Sequence, residues 1–501
     1  MVGPIQSVVI VGGGTAGWMT AASLQQHFLN TPLKITVVDS STIDTVGVGE
    51  ATIPTIRRFY QSLGMKDADI LRATNGTCKL GIQFNDWHKK GSSFIHPFGL
   101  FGQEVRNIGF HHFWMKLRER GDKTPISAYS LGASLAESGK FTFPSSKPPS
   151  SLSVFDWALH FDASLFAGHM KKYATSKGCR HIDNVITRVN LRQQDGFIDT
   201  LQLDSGELIQ GDLFIDCSGF HGLLIDKALN VGYEDWSHWL FCDSACVVQT
   251  ENVGEPPPYT RVDAQDAGWQ WRIPLVSRTG NGHVYSSKFI DDDDAKKVLV
   301  NNVQGELLHD PRKLNFKPGR RIRSWEKNCI AVGLTSGFLE PLESTSIALI
   351  ETAIERIKML FPDNHFDQAC IDEFNEVSAL EYERVRDFII LHYKATMRSD
   401  TEFWRKCANM DIPDTLKKKM ELFKKRGYFA RYRWEMFHPA SWLAIYTGFN
   451  FHPESYDPGV DAFNEAQLTQ SLAAMKKSVK QFVKETPKHK QFLDSLYESS
   501  V

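Results

Sequence analysis

The feature that most constrains the fold lies near the N-terminus, where the glycine-rich stretch GGGTAG at residues 12–17 follows the apolar run VVIV. Hydrophobic patterning predicts a strand over residues 8–11, a helix from about 15 to 28 and a second strand over 33–39. A glycine turn between a strand and a helix is typical of nucleotide-binding βαβ units. We therefore expect the chain to open with such a unit.

The glycines have separate physical roles in this type of turn. Gly12 permits the tight turn, Gly14 lets a pyrophosphate approach the backbone, and Gly17 allows the helix to pack closely on the strand. The helix then begins at Thr15 and Ala16, whose backbone N–H groups are suited to binding phosphate. A glycine turn that binds no ligand is the alternative interpretation.

Two further features identify the expected ligand. Asp39 ends the second predicted strand, 22 residues after Gly17, where a carboxylate can accept hydrogen bonds from a ribose. Far downstream, residues 213–220 read LFIDCSGF, an apolar strand followed by a turn of small residues. This stretch resembles the returning strand of two-segment FAD-binding folds, so FAD is favoured over NAD.

Composition excludes several classes of protein. The chain has 501 residues, of which 42% are hydrophobic and 23% charged, so it can bury a large core and does not resemble a disordered chain. Its formal net charge of −2 provides no field for binding nucleic acid or an anionic membrane. We therefore expect neither of these partners.

The eight cysteines form no CxxC pair, so the sequence predicts neither a metal site nor a disulfide framework, and reduced thiols in the cytoplasm fit best. Met1 is followed almost directly by an apolar strand, with no recognisable signal peptide and no apolar run of about 18 residues. A cytoplasmic protein outside the membrane is the expectation.

The overall pattern predicts the α/β fold class. Residues 1–360 are expected to form a Rossmann-like FAD-binding module of the two-segment glutathione-reductase/hydroxylase type, with an inserted substrate-side segment at about 88–150. Residues 361–501 are expected to be mainly helical and to complete a substrate pocket.

Three other stretches have ordinary structural explanations. Residues 268–274, GWQWRIP, alternate as a half-buried strand does, with both tryptophans on one face. The four aspartates at 291–294 lack calcium-loop spacing and are expected to form a solvated turn. The lysines at 417–419 are expected on the solvated face of an amphipathic helix.

Taken in order, the motifs resemble those of the flavin-dependent tryptophan halogenases. The matching stretches are VVIVGGGTAGWMTAA (8–22), GVGEATIPTI (47–56), TCKLGIQFNDW (77–87), FIDCSGF (214–220), GWQWRIP (268–274) and GFLEPLESTSIALIETAI (337–354). The resemblance covers residues 8 to about 350, and is looser beyond.

This resemblance implies an enzyme that uses FADH2, O2 and a halide ion. A separate NAD(P)H-dependent flavin reductase would supply the FADH2, and the hypohalous acid produced would pass through an internal tunnel to a small aromatic substrate. The WxWxIP motif would keep that substrate away from the flavin. The resemblance leaves a homodimer open.

The resemblance also assigns catalytic roles to two residues. Lys79 would hydrogen-bond or covalently capture the oxidised halogen, and Glu343 would stabilise the cationic ring intermediate and help to take its proton. From the residues alone, Lys79 is expected to face solvent, on the strand face opposite Cys78 and Leu80. Glu343 could equally serve as a carboxylate near a helix start.

Binding residues follow from the same comparison of motifs. The backbone amides of Thr345 and Ser346 would form the halide site, although many relatives carry glycine where this chain has Ser346. FAD would also contact four residues whose alternative role is ordinary packing, namely Glu50, Ala51, Leu334 and, at the adenosine end, Val185.

Aromatic residues are the candidates for substrate binding. His96, Phe98 and Trp442 could enclose a flat ring, or could be ordinary core. The region 436–458 lacks the paired tyrosines that hold free tryptophan in the best-known relatives, so indole is the expected substrate, with bromide at least as good as chloride. The alternatives are an aromatic monooxygenase and a non-catalytic FAD-binding protein.

Overall fold

The computed structural model describes residues 3–42 and 49–498 of the chain. Contacts divide the chain into two compact units, each made of three segments. The first unit contains residues up to 76, 161–243 and 315–383, and the second contains 77–160, 244–314 and 384 onward. These units do not coincide with the expected ranges 1–360 and 361–501. A FAD-binding module over 1–360, with its insertion at 88–150, stays a prediction.

In chain order the described strands are β1 Ser7–Val11, β2 Lys34–Asp39, β3 Gly49–Ala51, β4 Thr77–Lys79, β5 Gly81–Asn85, β6 Ser93–Pro97, β7 Ala158–Asp162, β8 Arg180–Asp183, β9 Ile186–Leu191, β10 Ile198–Leu203, β11 Leu208–Gln210, β12 Leu213–Asp216, β13 Tyr233–Asp235, β14 Ser244–Thr250, β15 Thr260–Gln265, β16 Gly268–Pro274, β17 Thr279–Tyr285, β18 Arg312–Asn315, β19 Gly319–Arg321, β20 Trp325–Glu326, β21 Cys329–Ala331 and β22 Gly337–Phe338.

The described α-helices are α1 Thr15–His27, α2 Thr55–Ser62, α3 Asp67–Ala73, α4 Phe110–Glu119, α5 Leu131–Glu137, α6 Ala163–Ser176, α7 Asp292–Asn302, α8 Ser346–Met359, α9 Gln368–Lys394, α10 Glu402–Asn409, α11 Asp414–Arg426, α12 Pro439–Gly448, α13 Glu465–Glu485 and α14 His489–Glu498. Within the described ranges, no helix is long and apolar enough to cross a membrane.

The first unit is built on a six-stranded sheet in the order β20-β21-β12-β1-β2-β8. Strand β1 pairs in parallel with both β2 and β12, so the opening strand and the returning strand lie side by side at its centre. Helix α1 connects β1 to β2. The predicted βαβ unit and the α/β class are confirmed.

Apolar strand residues explain why this sheet forms. Val9, Val38 and Phe214 are at most 1% exposed, and they belong to one core cluster with residues of the β9–β10–β11 sheet. Continuous apolar runs of this kind are typical of parallel strands that are buried on both faces. The core therefore holds together the three strands that meet at the glycine turn.

The second unit is built on a seven-stranded sheet in the order β18-β14-β17-β16-β15-β5-β6. The tryptophan-rich strand β16 lies inside this sheet, between β15 and β17. Trp271 lies opposite Gly282, where an added Cβ would collide with the indole, so the glycine makes room for the ring. Gln270, on the other face, is only 6% exposed. The expectation of a half-buried strand was wrong, because both faces are covered.

Two other sequence expectations also need correction. The aspartates at 291–294 are exposed to solvent as expected, but they form a helix start rather than a turn: Asp291 caps α7 by accepting a hydrogen bond from the backbone N of Asp294, and Asp292–Asp294 are its first turn. Acidic residues are favourable there because the helix N-terminus carries a partial positive charge. Of the lysines at 417–419, Lys417 and Lys418 are exposed as expected, whereas Lys419 is only 4% exposed and forms an ion pair with Glu435.

Candidate active site

The glycine turn in the first unit has the geometry that a pyrophosphate needs. Added side chains at Gly12 or Gly17 would collide with the neighbouring backbone, whereas a Cβ at Gly14 would meet no atom within 4 Å. Gly14 is also the N-cap residue of α1, and no described side chain caps this helix. Free amides at Thr15 and Ala16 therefore face open space, and this arrangement fits the phosphates of FAD.

Asp39 lies beside the glycine turn, as a ribose-binding carboxylate should. An added Cβ at Gly13 would collide with its carboxyl group. The Oδ1 atom of Asp39 lies 2.6 Å from Nε2 of His181, a residue that was not predicted. His181 thereby fixes the rotation of the Asp39 carboxylate. Strand β8, which carries His181, pairs with β2 in parallel and brings these two side chains together.

Leu334 lies in a short turn that packs against the start of α1. A Cβ added at Gly333, the residue before Leu334, would lie 2.9 Å from the Cβ of Ala16. The turn and the start of the helix are therefore in close contact. Thr335 Oγ1 donates a 2.9 Å hydrogen bond to the carbonyl of Gly219, in the turn after β12. The side chain of Leu334 is half-buried, which leaves surface for a flat ring.

The other expected flavin contacts have weaker geometric support. Glu50 is half-buried, and desolvation raises the pKa of its carboxyl to about 7. Ala51 is 8% exposed and small, and Val185 is half-buried in the connection before β9. Residues 47 and 48 of the GVGEATIPTI motif lie outside the described residues.

Glu343 ends a single 3-10 turn, Pro341–Glu343, immediately before helix α8. Its side chain is 1% exposed. Ser344 then adopts a left-handed conformation with φ of +59°, and Thr345 is the N-cap residue of α8. Thr345 makes no side-chain cap, and its Oγ1 is buried with no hydrogen-bond partner among the described residues. The amides of Thr345 and Ser346 therefore begin a helix with a hydroxyl beside them, which suits a small anion.

Lys79 is the most unusual residue of the second unit, because its side chain is 0% exposed. The prediction from sequence alone, that Lys79 faces solvent, was wrong. Strand β4 pairs with β7, and both strands are buried along the paired residues. The Nζ atom of Lys79 lies 5.3 Å from the ring centroid of Phe98. A buried ammonium over an aromatic face is stabilised by the negative face of the ring.

The three predicted aromatic residues belong to one connected group in the second unit. The ring of His96 lies 6.5 Å from that of Phe98 and 5.9 Å from that of Phe388. Phe388 stacks on Phe437 at 3.9 Å and meets Trp442 edge-on at 5.0 Å. Phe98 is half-buried, whereas His96 and Trp442 are almost fully buried. We call these five rings the aromatic wall.

The WxWxIP motif lies in the same unit, in β16. Trp269 is 0% exposed, and its ring lies 6.4 Å from that of Trp87 and 5.8 Å from that of Trp271. Both indoles are therefore part of an aromatic core. The carbonyl oxygen of Pro274, the last residue of the motif, accepts a 2.7 Å hydrogen bond from the hydroxyl of Thr77, two residues before Lys79. The barrier role of the motif stays a prediction.

Comparisons with known proteins agree with this geometry. The protein-family model described as Tryptophan halogenase matches residues 7–465. The chain belongs to the tryptophan halogenase family. It is 37% identical over 445 residues to the tryptophan 6-halogenase ThaL of Streptomyces albogriseolus, covering 84% of this chain and 82% of that protein.

Solved structures of flavin-dependent halogenases are more similar still. BrvH from Brevundimonas sp. BAL3 is 60% identical with a TM-score of 0.96, covering 98% of this chain and 99% of that one. A flavin-dependent halogenase from Xanthomonas campestris is 44% identical with a TM-score of 0.95, covering 98% of each chain. This tryptophan halogenase family member is a FADH2-dependent enzyme, and FAD is its cofactor.

Sequence reasoning missed several residues that surround the candidate site residues. Phe388 and Phe437 complete the aromatic wall, and two buried histidines, His160 and His489, contact strand β4. The alternation of β7 could have pointed to His160. Nothing local pointed to His489, which lies 411 residues from its partner Cys78. Within the described residues, no group of three or more His, Cys, Asp or Glu side chains could hold a metal ion.

Proposed function

We propose that this halogenase transfers bromine or chlorine to a small, free aromatic of the indole type, with Lys79 and Glu343 as its catalytic residues. The observation that supports this most directly is the complete burial of Lys79 with its Nζ 5.3 Å from the Phe98 ring centroid. Burying an ammonium costs roughly several kcal/mol before its contacts offset the loss of water, so a buried lysine at this position is consistent with a functional role. Phe98 belongs to the aromatic wall, so the cation lies beside surface suited to a flat ring.

The proposed cofactor contacts all belong to the first unit. The amides at the start of α1, Thr15 and Ala16, would hold the pyrophosphate beside Gly14, and Asp39 would bind the ribose. Gly12 and Gly17 would shape the turn, because the Gly12 amide already donates to the carbonyl of Val38. Leu334, Glu50 and Ala51 would contact the flavin, and Val185 the adenosine. When bound, reduced FAD together with O2 would supply the oxidising power that turns halide into hypohalous acid. The amides of Thr345 and Ser346 would hold the halide.

The chain's own residues would then direct the halogen. The Lys79 ammonium donates a hydrogen bond to the oxygen of hypohalous acid, which makes the halogen more electrophilic. As the carbon–halogen bond forms, the oxygen–halogen bond breaks, and the oxygen leaves as water with a proton from Lys79. The Glu343 carboxylate accepts the proton that the ring carbon loses. Proton exchange with solvent restores both residues.

Charge pairing at the aromatic wall supports indole over free tryptophan. Lys419 and Glu435 approach this wall, but they form an ion pair with each other at 2.6 Å. Lys419 also lies 4.4 Å from the ring centroid of Trp442. An amino-acid zwitterion needs partners for both of its charges, and these two are already engaged. A neutral indole has no such requirement.

The partner of the reaction is a flavin reductase, since enzymes of this family generally need a separate one. We propose that FAD is held reversibly so that the reduced form can be exchanged. A homodimer in solution is a further proposal, which sedimentation velocity would check.

Competition between substrates tests the proposed function. The protein is mixed with FAD, a reductase, NADH and bromide, together with equal concentrations of indole and tryptophan. We expect the bromine isotope doublet on indole in mass spectra. The rate of halogenation with bromide should be at least equal to the rate with chloride. A clear preference for tryptophan would contradict the substrate class, and products hydroxylated but free of halogen would contradict the halogenase.

A further inference from the structure

Strand β4, which carries Lys79, is held on its free side by a residue remote in sequence. Among the described strands, β4 pairs with β7 on one side, with Cys78 opposite Leu159. The backbone N–H of Cys78 donates a 3.2 Å hydrogen bond to Nε2 of His489, the first residue of α14. The backbone N–H of Leu80 donates a 2.7 Å hydrogen bond to the carbonyl of Pro258. Both neighbours of Lys79 are thus anchored.

The chemistry of the flanking loop explains why a histidine stands there. Residues 256–258 are three successive prolines, which can accept hydrogen bonds but offer no backbone N–H. The ring of His489 supplies both functions: Nε2 accepts from Cys78, and Nδ1 lies 2.8 Å from the carbonyl oxygen of Pro256. It therefore joins the N–H of an edge strand to a carbonyl of the proline loop through one side chain, and it supplies the donor that this loop lacks.

These contacts allow only one protonation state. A backbone N–H can only donate, so Nε2 of His489 must carry a lone pair, and a carbonyl can only accept, so the proton is on Nδ1. The ring is 0% exposed, and burial lowers its pKa to about 4. The histidine is therefore neutral and fixed in one tautomer at neutral pH.

The anchored segment also sets where Lys79 meets the aromatic wall. The carbonyl of Leu80 accepts a 2.8 Å hydrogen bond from the backbone N of Phe98. Hydrogen bonds therefore link His489 to Cys78 and Leu80 to Phe98, and Lys79 lies in the backbone between Cys78 and Leu80. A shift of β4 would move the ammonium relative to the Phe98 ring.

We propose that His489 is a positioning residue for Lys79, acting through the backbone of β4. This inference rests on the proposed catalytic role of Lys79. Because misplacement by about 1 Å can cost roughly 10²-fold in rate, loss of this anchor should lower the rate of halogen transfer and leave the flavin chemistry intact.

The test compares His489→Gln with His489→Leu in the full chain. The amide of glutamine can accept from Cys78 and donate to Pro256, whereas leucine can do neither. We expect His489→Leu to lower kcat for indole bromination by roughly tenfold or more with unchanged reoxidation of reduced FAD, and His489→Gln to retain most activity. His283→Leu, which removes an equally buried histidine bonded to Ala295 of α7, is the matched control.

A readout without turnover separates this inference from the proposed function. Lys79 is labelled with an amine-reactive reagent in each variant, and its peptide is quantified by mass spectrometry. We expect faster labelling of Lys79 in His489→Leu than in wild type, His489→Gln or His283→Leu. Equal labelling, or equal activity of the Leu and Gln variants, would overturn the positioning role. Activity of Lys79→Ala at the wild-type rate would instead overturn the role of Lys79.

Discussion

The ammonium of Lys419 lies 4.4 Å from the ring centroid of Trp442, and both side chains are 4% exposed. Glu435 completes the arrangement by pairing with Lys419 at 2.6 Å. One edge of the aromatic wall is thus held by a buried ion pair. Removal of Glu435 leaves the buried Lys419 ammonium with no anionic partner and with only the Ala430 carbonyl and aromatic rings around it, and breaking a buried pair in this way costs about 3–5 kcal/mol.

We therefore expect Glu435→Gln to lower the free energy of unfolding by about 3 kcal/mol and to raise KM for indole. The double variant Lys419→Met with Glu435→Leu should recover much of the stability, because no charge then remains buried. Urea denaturation of the three proteins provides the measurement. Equal stability of the single variant and wild type would show that solvent reaches this pair.

Lys79→Ala should abolish halogenation while FAD binding and reoxidation continue, because Lys79 belongs to the second unit and the glycine turn to the first. Stopped-flow spectra of the reduced enzyme mixed with O2 report the flavin, and mass spectrometry reports the product. Bromination at the wild-type rate would contradict the assigned role.

Glu343→Gln keeps the size and polarity of the side chain but removes its ability to accept a proton. We expect product formation to slow by roughly 10²-fold, the usual scale for a positioned acid–base group. The FAD dissociation constant should stay unchanged, and is measured by calorimetry on the same preparation. If turnover is unchanged, the catalytic role is contradicted and Glu343 is only a carboxylate near the start of α8.

Two substitutions in the glycine turn should separate ligand binding from folding. Gly14→Val should prevent FAD binding while the melting temperature of the apoprotein stays near that of wild type, because a Cβ there meets no protein atom within 4 Å. Gly17→Ala should destabilise the fold itself, because its Cβ would collide with the carbonyl of Gly12. Thermal unfolding and calorimetric titration of both variants provide the measurements. A destabilised Gly14→Val apoprotein, or a Gly17→Ala protein as stable as wild type, would contradict these expectations.

Acid should selectively remove the contribution of His489 to stability. Burial lowers its pKa in the folded state to about 4, whereas an unfolded chain has about 6.5. The unfolded state therefore binds more protons between these values, and the histidine's stabilisation relative to His489→Gln should decline by up to about 1.4 kcal/mol per pH unit below pH 6.5. Burial, and then the charges of Lys79 and His489, lower the pKa of His160, so the comparison reports the loss of His489 together with its effect on His160. A difference in unfolding free energy between wild type and His489→Gln that does not change with pH would contradict this prediction.

Local sequence patterns predicted the parts of the protein that depend on neighbouring residues. The turn from Gly12 to Gly17 follows from the strand before it and the helix after it, and the structure has all three. The burial of Lys79 did not follow from its strand, because β7 and the proline loop that cover it lie far away in the chain. Resemblance to the family pointed only to a catalytic role for Lys79.

The region 88–150 contains regular structure that we do not predict from the sequence. Few clear helical or strand patterns stand out across it, yet it holds β6, α4 and α5. In α4 the apolar residues Phe110, Phe113, Trp114 and Leu117 do follow the i, i+3, i+4, i+7 spacing of a helix, so the sequence carried the signal for this element. What the sequence could not show is that the polar side is covered as well, since eight of its ten residues are buried.

The contact between Cys78 and His489 has a consequence for synthesis on the ribosome. The two residues are separated by 411 positions, and translation proceeds at about 5–20 residues per second. The strand that carries Lys79 therefore emerges roughly 20 to 80 s before the side chain that completes its edge. During that interval the N–H of Cys78 is available to water, to chaperones or to another nascent strand. Lys79 is therefore made well before the residue that completes its surroundings.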